Sequence, residues 1–502
     1  MPPSTPPDAI PLRRARAALA GARRALAPDR PVTHGVRADA TLALRDLALT
    51  VDALPRGERA AARRLLARPT AALADPAGHG WGPRAAPRVH CAPAACVHWA
   101  SNPASPDSPD LTDASGNGVP DQVDLVLSTV VSVRRRLRAA GYRAPLGDGR
   151  LGGNARTDVY LADIGGQGLY GYCATDAPAP VLGAQARAAY CVLDDDYDPA
   201  QFPVNTPLEN LQVTVAHEYF HAVQFAYDAT QDAWFMEATA AWIEDELFDD
   251  VDDNRQYLRR SPLRQPRRSL DDRGRPDRAD ALRVYGGWIF FRWLGERFPA
   301  TQGAMPTVVR DIWATAGAAG PDVARHSLSA IDTVLRARGT ALPAALAGFA
   351  ADNLAPATSY DEGAGYPAAR PVAVLGVGRR ALTHRVRLDH LTSASVRLTP
   401  DPALRGRGWR LRLRLDLPQR VSAPAAVVST LAADGTRTRR TVALDRTGAG
   451  RISLRFAGVR HVDVTLVNAS TRLTCWRGSR FSCAGAPTDD ARPFSLTARA
   501  VR

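Results

Sequence analysis

Residues 214–224 read TVAHEYFHAVQ, with His217 and His221 four apart and Glu218 directly after the first histidine. If the stretch is helical, both imidazoles leave one face a turn apart and can reach a single zinc ion. Glu218 then stands where a carboxylate can hold a water at that ion and take its proton. The chain has only ten histidines, so chance seldom produces this pattern in such a composition. The competing account is a pair of core histidines on an amphipathic helix.

A catalytic zinc needs a third protein ligand and an open position for water. The elements that would position the ligands are legible. Thr206-Pro207-Leu208-Glu209 is a helix start: a threonine cap, proline at the first helical position, and a glutamate completing a capping box. Leu211, Val215, Phe220 and Val223 carry the helix to about Tyr227. A second helix is predicted in DAWFMEATAAWIEDELF, with Asp232 as cap and Trp234, Ala238, Ala241 and Trp242 as its apolar face. Glu237, sixteen residues after His221, lies one residue off that seam and would meet the histidines if the two helices pack antiparallel.

An HExxH helix followed by a helix reading W-x-x-E-A-x-A-x-W resembles the gluzincin class of zinc metallopeptidases. It is most similar to secreted bacterial metalloproteases that read HEYFHAVQ … WFxEGTAxWxED, over roughly residues 90–300, with the specific motifs at 214–246. The resemblance implies that His217, His221 and Glu237 bind zinc and that Glu218 is the general base. It also nominates Tyr285, in RVYGGWIFFRWLGERF, as donor to the developing oxyanion; a buried tyrosine on a packed aromatic helix is the plainer account. Thermolysin-like members carry an aspartate four residues after the ligand glutamate to orient a histidine. Here that position is Ala241, which leaves Glu244 or Asp245 as substitutes, or as solvated charges.

A second motif, DASGNGVPDQVD, has calcium-loop spacing. Side-chain oxygens fall at positions 1, 3, 5, 9 and 12 (Asp113, Ser115, Asn117, Asp121 and Asp124), Gly118 occupies position 6, and Val119 can offer a carbonyl at position 7. A helix, VDLVLSTVVSVRRRL, leaves the loop. Pro120 at position 8 and aspartate rather than glutamate at position 12 depart from the pattern. LDDDYD (193–198) and DDVDDN (249–254) lack fixed spacing and read as solvated loops.

The net charge of +13 does not point to nucleic acid. All 64 basic residues are arginine, dispersed along the chain without a recognition motif or an aromatic-interleaved stripe. No apolar run approaches a membrane span. The six cysteines fall into sequence-local couples, 91–96, 173–191 and 475–483, which suits short-loop disulfides in an oxidising compartment. A rival at the first couple is zinc on His90, Cys91, Cys96 and His98, with loose spacing. The cysteines argue for export, whereas MPPSTPPDAIPLRRARAALAGARR lacks the apolar core of a secretory signal.

The expected fold is α+β: a zincin-like catalytic domain with a mostly helical C-terminal subdomain, then an antiparallel β-sandwich-like domain. Residues 1–88 read as Ala/Arg-rich helices, an accessory subdomain or a pro-region. Residues 89–365 would form the metallopeptidase domain: calcium loop and strands at 89–200, zinc helices at 206–248, helical subdomain at 279–365. Period-two runs such as WRLRLRLDL place the β domain at 371–502, after a linker at 364–371. The expectation is a secreted, monomeric zinc metalloendopeptidase acting on proteins or peptides, with calcium as a structural ion. A non-catalytic binding protein on the same fold and an aminopeptidase are the alternatives.

Overall fold

A computed structural model describes residues 11–27, 40–70, 80–176, 185–275, 280–318, 326–404 and 408–502. The chain divides into two compact units. One comprises Met1–Gln231, Ala240–Asp253 and Ala300–Ala324; the other comprises Asp232–Thr239, Asn254–Pro299 and Arg325–Arg502.

The first unit opens with helices α1 (Leu12–Ala25), α2 (Thr41–Ala48) and α3 (Arg56–Leu65). Ala15, Leu19 and Ala22 on α1, Leu26 just after it, Leu44 and Leu47 on α2, and Ala62 and Leu65 on α3 are all buried, so each helix hides one stripe, and α1 turns its arginines outward. Five strands follow, β1 (Pro87–Cys91), β2 (Ala95–Ala100), β3 (Thr157–Ala162), β4 (Gly171–Ala174) and β5 (Tyr190–Asp194), in the order β1-β2-β3-β5-β4. The outer pairs β1–β2 and β4–β5 are antiparallel and the inner pairs parallel. The helices α4 (Asp121–Ala139) and α5 (Pro207–Asp228) also pack on this sheet.

Strand alternation sorts the two faces. Tyr160, Ala162, Tyr172, Ala174, Tyr190 and Val192 share one core with the N-terminal helices. Gly171 and Leu193, pointing the other way, meet α5. Residues 1–88 are therefore built into this unit through their described helices. Their end is fixed by Arg68, which is buried and paired with Asp148, Asp158 and Asp176, and by the Tyr190 hydroxyl, which donates to the Leu66 carbonyl at 3.0 Å. Helix α6 (Ala233–Leu247) follows α5 after four residues and runs through both units. A two-residue hairpin, β6 (Thr301–Gln302) with β7 (Met305–Pro306), and α8 (Thr307–Ala316) complete the first unit.

The three expected cysteine couples are disulfides. Cys91–Cys96 staples β1 to β2 and Cys173–Cys191 staples β4 to β5, each across a directly opposed pair. The zinc alternative at Cys91 and Cys96 is thereby removed, and His98 instead meets Asp158 at 2.9 Å. No described helix is long and apolar enough to cross a membrane.

The second unit contains α7 (Trp288–Arg297), α9 (Ser327–Ala337), α10 (Leu342–Asp352) and a β-sandwich. Its strands are β8 (Ala373–Val377), β9 (Leu382–Leu388), β10 (Thr392–Pro400), β11 (Arg410–Asp416), β12 (Pro424–Ala432), β13 (Arg437–Thr441), β14 (Ala449–Arg455), β15 (Val459–Asn468), β16 (Leu473–Thr474), β17 (Ala486–Pro487) and β18 (Arg492–Val501). Sheets of order β13-β12-β15-β10-β8 and β14-β11-β18-β9 enclose the core. In RLRLRLD the leucines 411, 413 and 415 point inward while the arginines between them face out.

Two expectations change here. The sandwich is not wholly antiparallel, because β8 pairs with β10 in parallel. The intervening β9 crosses to the other sheet, so the chain returns beside β8 in the same direction. The linker expected at 364–371 is bonded into the unit: Tyr366 and Ala369 are buried, and Ala369 N–H donates to Asn353 at 2.7 Å. Helix α10, small and apolar almost all round, packs on β12 and β15, which places this part of the helical subdomain with the sandwich.

An ion triad, with His390 and Asp271 buried and Asp490 at the surface, ties residue 271 to this unit. His390 lies 3.0 Å from Asp271 through Nε2 and 2.7 Å from Asp490 through Nδ1, and Ser269 donates to Asp271 at 2.6 Å. Ser269 also approaches His390 Nε2 at 3.1 Å. The arrangement is not a nucleophile with its base, because hydrogen bonds donated to the two aspartates raise the His390 pKa to about 9 against the cost of burial, and an imidazolium cannot accept a proton. Asp271 and Asp490 are held below the usual aspartate value. A raised histidine stabilises the fold fully below pH 6.5 and loses that contribution as pH climbs through about 9. The lowered aspartates contribute above their ordinary pKa of 3.8 and lose it on acidification. His390→Gln is expected to cost roughly 3 kcal/mol at pH 6, the equivalent of moving a pKa from 6.5 to about 9. Denaturant titrations of both proteins from pH 5 to 9.5 should show that difference shrinking at the alkaline end.

Candidate metal centre

The start of α5 forms as its sequence dictates. Glu209 N–H donates to Thr206 Oγ1 at 3.3 Å and Thr206 N–H donates to the Glu209 carboxylate at 2.8 Å, closing the capping box ahead of Pro207. From Asn210 onward α5 is buried apart from one half-buried turn position, which puts its polar residues in the interior. His217, Glu218 and His221 are 0%, 1% and 0% exposed.

Both imidazoles are held through Nδ1. His217 Nδ1 lies 2.5 Å from Glu244 Oε1, and His221 Nδ1 lies 2.8 Å from Gln224 Oε1. Acceptors at Nδ1 fix the Nδ1–H tautomer and leave Nε2 as the basic nitrogen of each ring, the one that could face a metal. The ring centroids are 4.7 Å apart and inclined at 78°.

Glu237 is positioned by the same contact. It precedes Glu244 by seven residues on α6, about two helical turns, so the two carboxylates leave one face. Ligand atoms of His217, His221 and Glu237 all lie within 4.8 Å of one another. Two imidazoles and a carboxylate, with a carboxylate behind one imidazole, form a donor set suited to zinc with a position left for water or substrate. Glu244, one turn after the buried methyl of Ala241, is a residue that meets His217.

The Glu218 Oε2 accepts a hydrogen bond at 3.1 Å from Thr41 Oγ1, on the first residue of α2. Its stem lies against β4 at Gly171, where an added Cβ would come within 3.0 Å of Glu218 Cγ and 2.8 Å of Thr214 Cγ2. Only glycine lets β4 approach α5 this closely.

Other expected residues fall differently. Asp232 does not cap α6 with its side chain, which instead accepts from Ser327 Oγ and Cys483 N–H, both at 2.6 Å. Tyr285 precedes α7 in a single 3-10 turn of the second unit, buried, its ring stacked on Tyr257 with centroids 4.9 Å apart. No oxyanion geometry is assigned to it.

The calcium-loop candidates are brought together by hydrogen bonds. Asp113 accepts from Ser115 Oγ and from the N–H groups of Gly116, Asn117 and Gly118, and its pKa is lowered chiefly by the last of these. Asn117 Nδ2 donates to Asp124 at 2.7 Å, Val119 N–H donates to Asn117 Oδ1 at 2.8 Å, and Asp121 receives Ala114 N–H at 2.9 Å. Gly116 and Gly118 have φ of 71° and 86°, which the sharp turn requires. Helix α4 leaves at Asp121.

The acidic run at 193–198 is not a solvated loop at its start. Asp194 is buried and accepts from Ile164, Gly165 and Tyr197 N–H groups, organising the turns after β3 and β5. Burial first, then neighbouring aspartates, push Asp195 up to about 9; burial raises Asp194 to about 8. Carboxylate oxygens of Asp163, Asp194 and Asp195 lie within 4.8 Å of one another. In 249–254, Asp253 is likewise buried and accepts from Asn205 at 2.8 Å.

Sequence reasoning missed Thr41, Gln224 and Gly171. Gln224, three residues after His221, could have been found from helical phase; Thr41 carries no local signal. No family model matches the chain, and no curated protein matches it significantly.

Removing the carboxylate behind His217 tests the geometry. Glu244→Ala is expected to weaken zinc binding about 10–100-fold, read by competition with a chromogenic chelator, while Ala241→Ser leaves it within a few-fold.

Proposed function

We propose that this chain is a secreted zinc metalloendopeptidase of gluzincin type, with a zincin-like arrangement around α5 and α6. The observation that carries the proposal is the buried trio of His217, His221 and Glu237 within 4.8 Å, with Glu244 fixing the first imidazole. Zinc bound there would supply Lewis acidity, polarising the scissile carbonyl and lowering the pKa of an attacking water.

The remaining work belongs to the protein's own groups. Glu218, next to His217, takes the proton of the attacking water and returns it to the departing amine nitrogen. Its stem is packed against Gly171 of β4 and its Oε2 accepts from Thr41, so the carboxylate is held in place. Glu244 and Gln224 hold the imidazoles so that neither ring turns during the reaction. Burial of all these groups excludes bulk water and strengthens their mutual electrostatics.

Calcium in the Asp113–Asp124 loop would tie the start of α4 to the sheet unit. Three disulfides support an oxidising, extracellular setting. The β-sandwich is proposed to attach substrate or surface, and the protein to act as a monomer on peptides or proteins.

Zinc-loaded protein is expected to cut a mixed peptide library at internal bonds, read by mass spectrometry. A chelator should abolish the cuts, and Glu218→Ala should slow them at least about 10²-fold. Persistent absence of cuts from a protein holding one zinc would favour the non-catalytic binding protein instead. For calcium, added EGTA should lower the melting temperature, and Asp113→Ala should remove that response.

A further inference from the structure

Thr41 stands at the start of α2, fully buried, and its hydroxyl serves two groups at once. It donates to Glu218 Oε2 at 3.1 Å and accepts from Cys173 N–H at 2.8 Å. Cys173 belongs to β4, the edge of its sheet, paired with β5 on one side only. An outward N–H on an edge strand is a donor that an added chain would use; here Thr41 occupies it.

The rest of α2 is seated as firmly. Leu44 and Leu47 are fully buried in the core that contains Tyr172 of β4. Arg45, itself buried, donates to the Gln231 carbonyl at 2.8 Å, in the connection between α5 and α6. So α2 runs from the carboxylate of Glu218 along the β4 edge to the turn between the two ligand-bearing helices. One of the two carboxylate oxygens of Glu218 is engaged by a threonine hydroxyl, and the strand edge beside it is covered.

We infer that α2 is an intramolecular cover of the candidate active site, with Thr41 as the group that occupies the general base, so that the chain is latent until α2 is displaced. This rests on the reading of Glu218 as general base. The consequence is specific: loosening α2 opens the site without changing any residue assigned to metal or chemistry.

The test uses the full-length, zinc-loaded chain and two variants, Leu44→Asp, which places a charge in the buried face of α2, and Thr41→Val, which removes only the hydroxyl. Two readouts are taken: affinity for a fluorescent peptidyl hydroxamate, a zinc-directed probe of the open site, and the rate of peptide-library cleavage. The expected result is weak probe binding and slow cleavage in the unaltered chain. Leu44→Asp should bind the probe at least about tenfold more tightly and cut at least about tenfold faster, and Thr41→Val should move both in the same direction by a few-fold. If Leu44→Asp does not fold, Thr41→Val decides. Tighter probe binding without any cleavage supports the cover and counts against the peptidase reading. Equal probe affinity in all three chains, or binding in none, overturns the cover.

Discussion

The contact between His217 Nδ1 and Glu244 Oε1 is the constraint on which the candidate site depends. Through it α6 is held against α5 with the 237/244 face inward, and the tautomer of His217 is set at the same time. Both helices are then buried nearly all round, which explains why α6 is so rich in alanine and tryptophan and so poor in a polar face. Carboxylates at 218, 237 and 244 are each about 1% exposed. Burying such groups is costly unless positive charge and hydrogen bonds offset it. On the proposed reading, a divalent cation at the trio provides that offset, and folding and metal binding are coupled.

The N-terminal helices follow from a second constraint, the open edge of the sheet. The sheet face bearing Tyr160, Tyr172 and Tyr190 is covered by α1–α3, which share its core, and the outward N–H of Cys173 on the edge strand β4 is taken by Thr41. Arg68, locked among three aspartates, anchors the far end of the covering segment. Thr41 and Glu218, joined by a hydrogen bond, are 177 residues apart in sequence. Such a contact couples the stability of the first unit to the accessibility of Glu218.

What could be read from the sequence was local. The capping box at Thr206, the histidine pair on one helical face and the alternation in the RLRLRLD strand each depend on residues a few positions apart, and so did the cysteine couples that close as disulfides. Glu237 was reachable because it lies on the very next helix. Whether Glu244 or Asp245 would stand behind His217 depends on the phase of α6 to within one residue, which spacing alone leaves open. Asp232 had the right type and place for a cap, but tertiary donors from Ser327 and Cys483 took its carboxylate. The parallel β8–β10 pair, the tied-down segment at 364–371, the buried start of the 193–198 run and the Thr41 contact are all long-range outcomes, invisible to periodicity.

The most direct measurement is X-ray absorption at the zinc edge on the purified full-length chain. The account predicts one zinc per chain with a first shell of nitrogen and oxygen only and the outer-shell scattering of two imidazoles, lost in His221→Ala. A sulfur-containing shell, or no zinc retained by a folded chain, would contradict it.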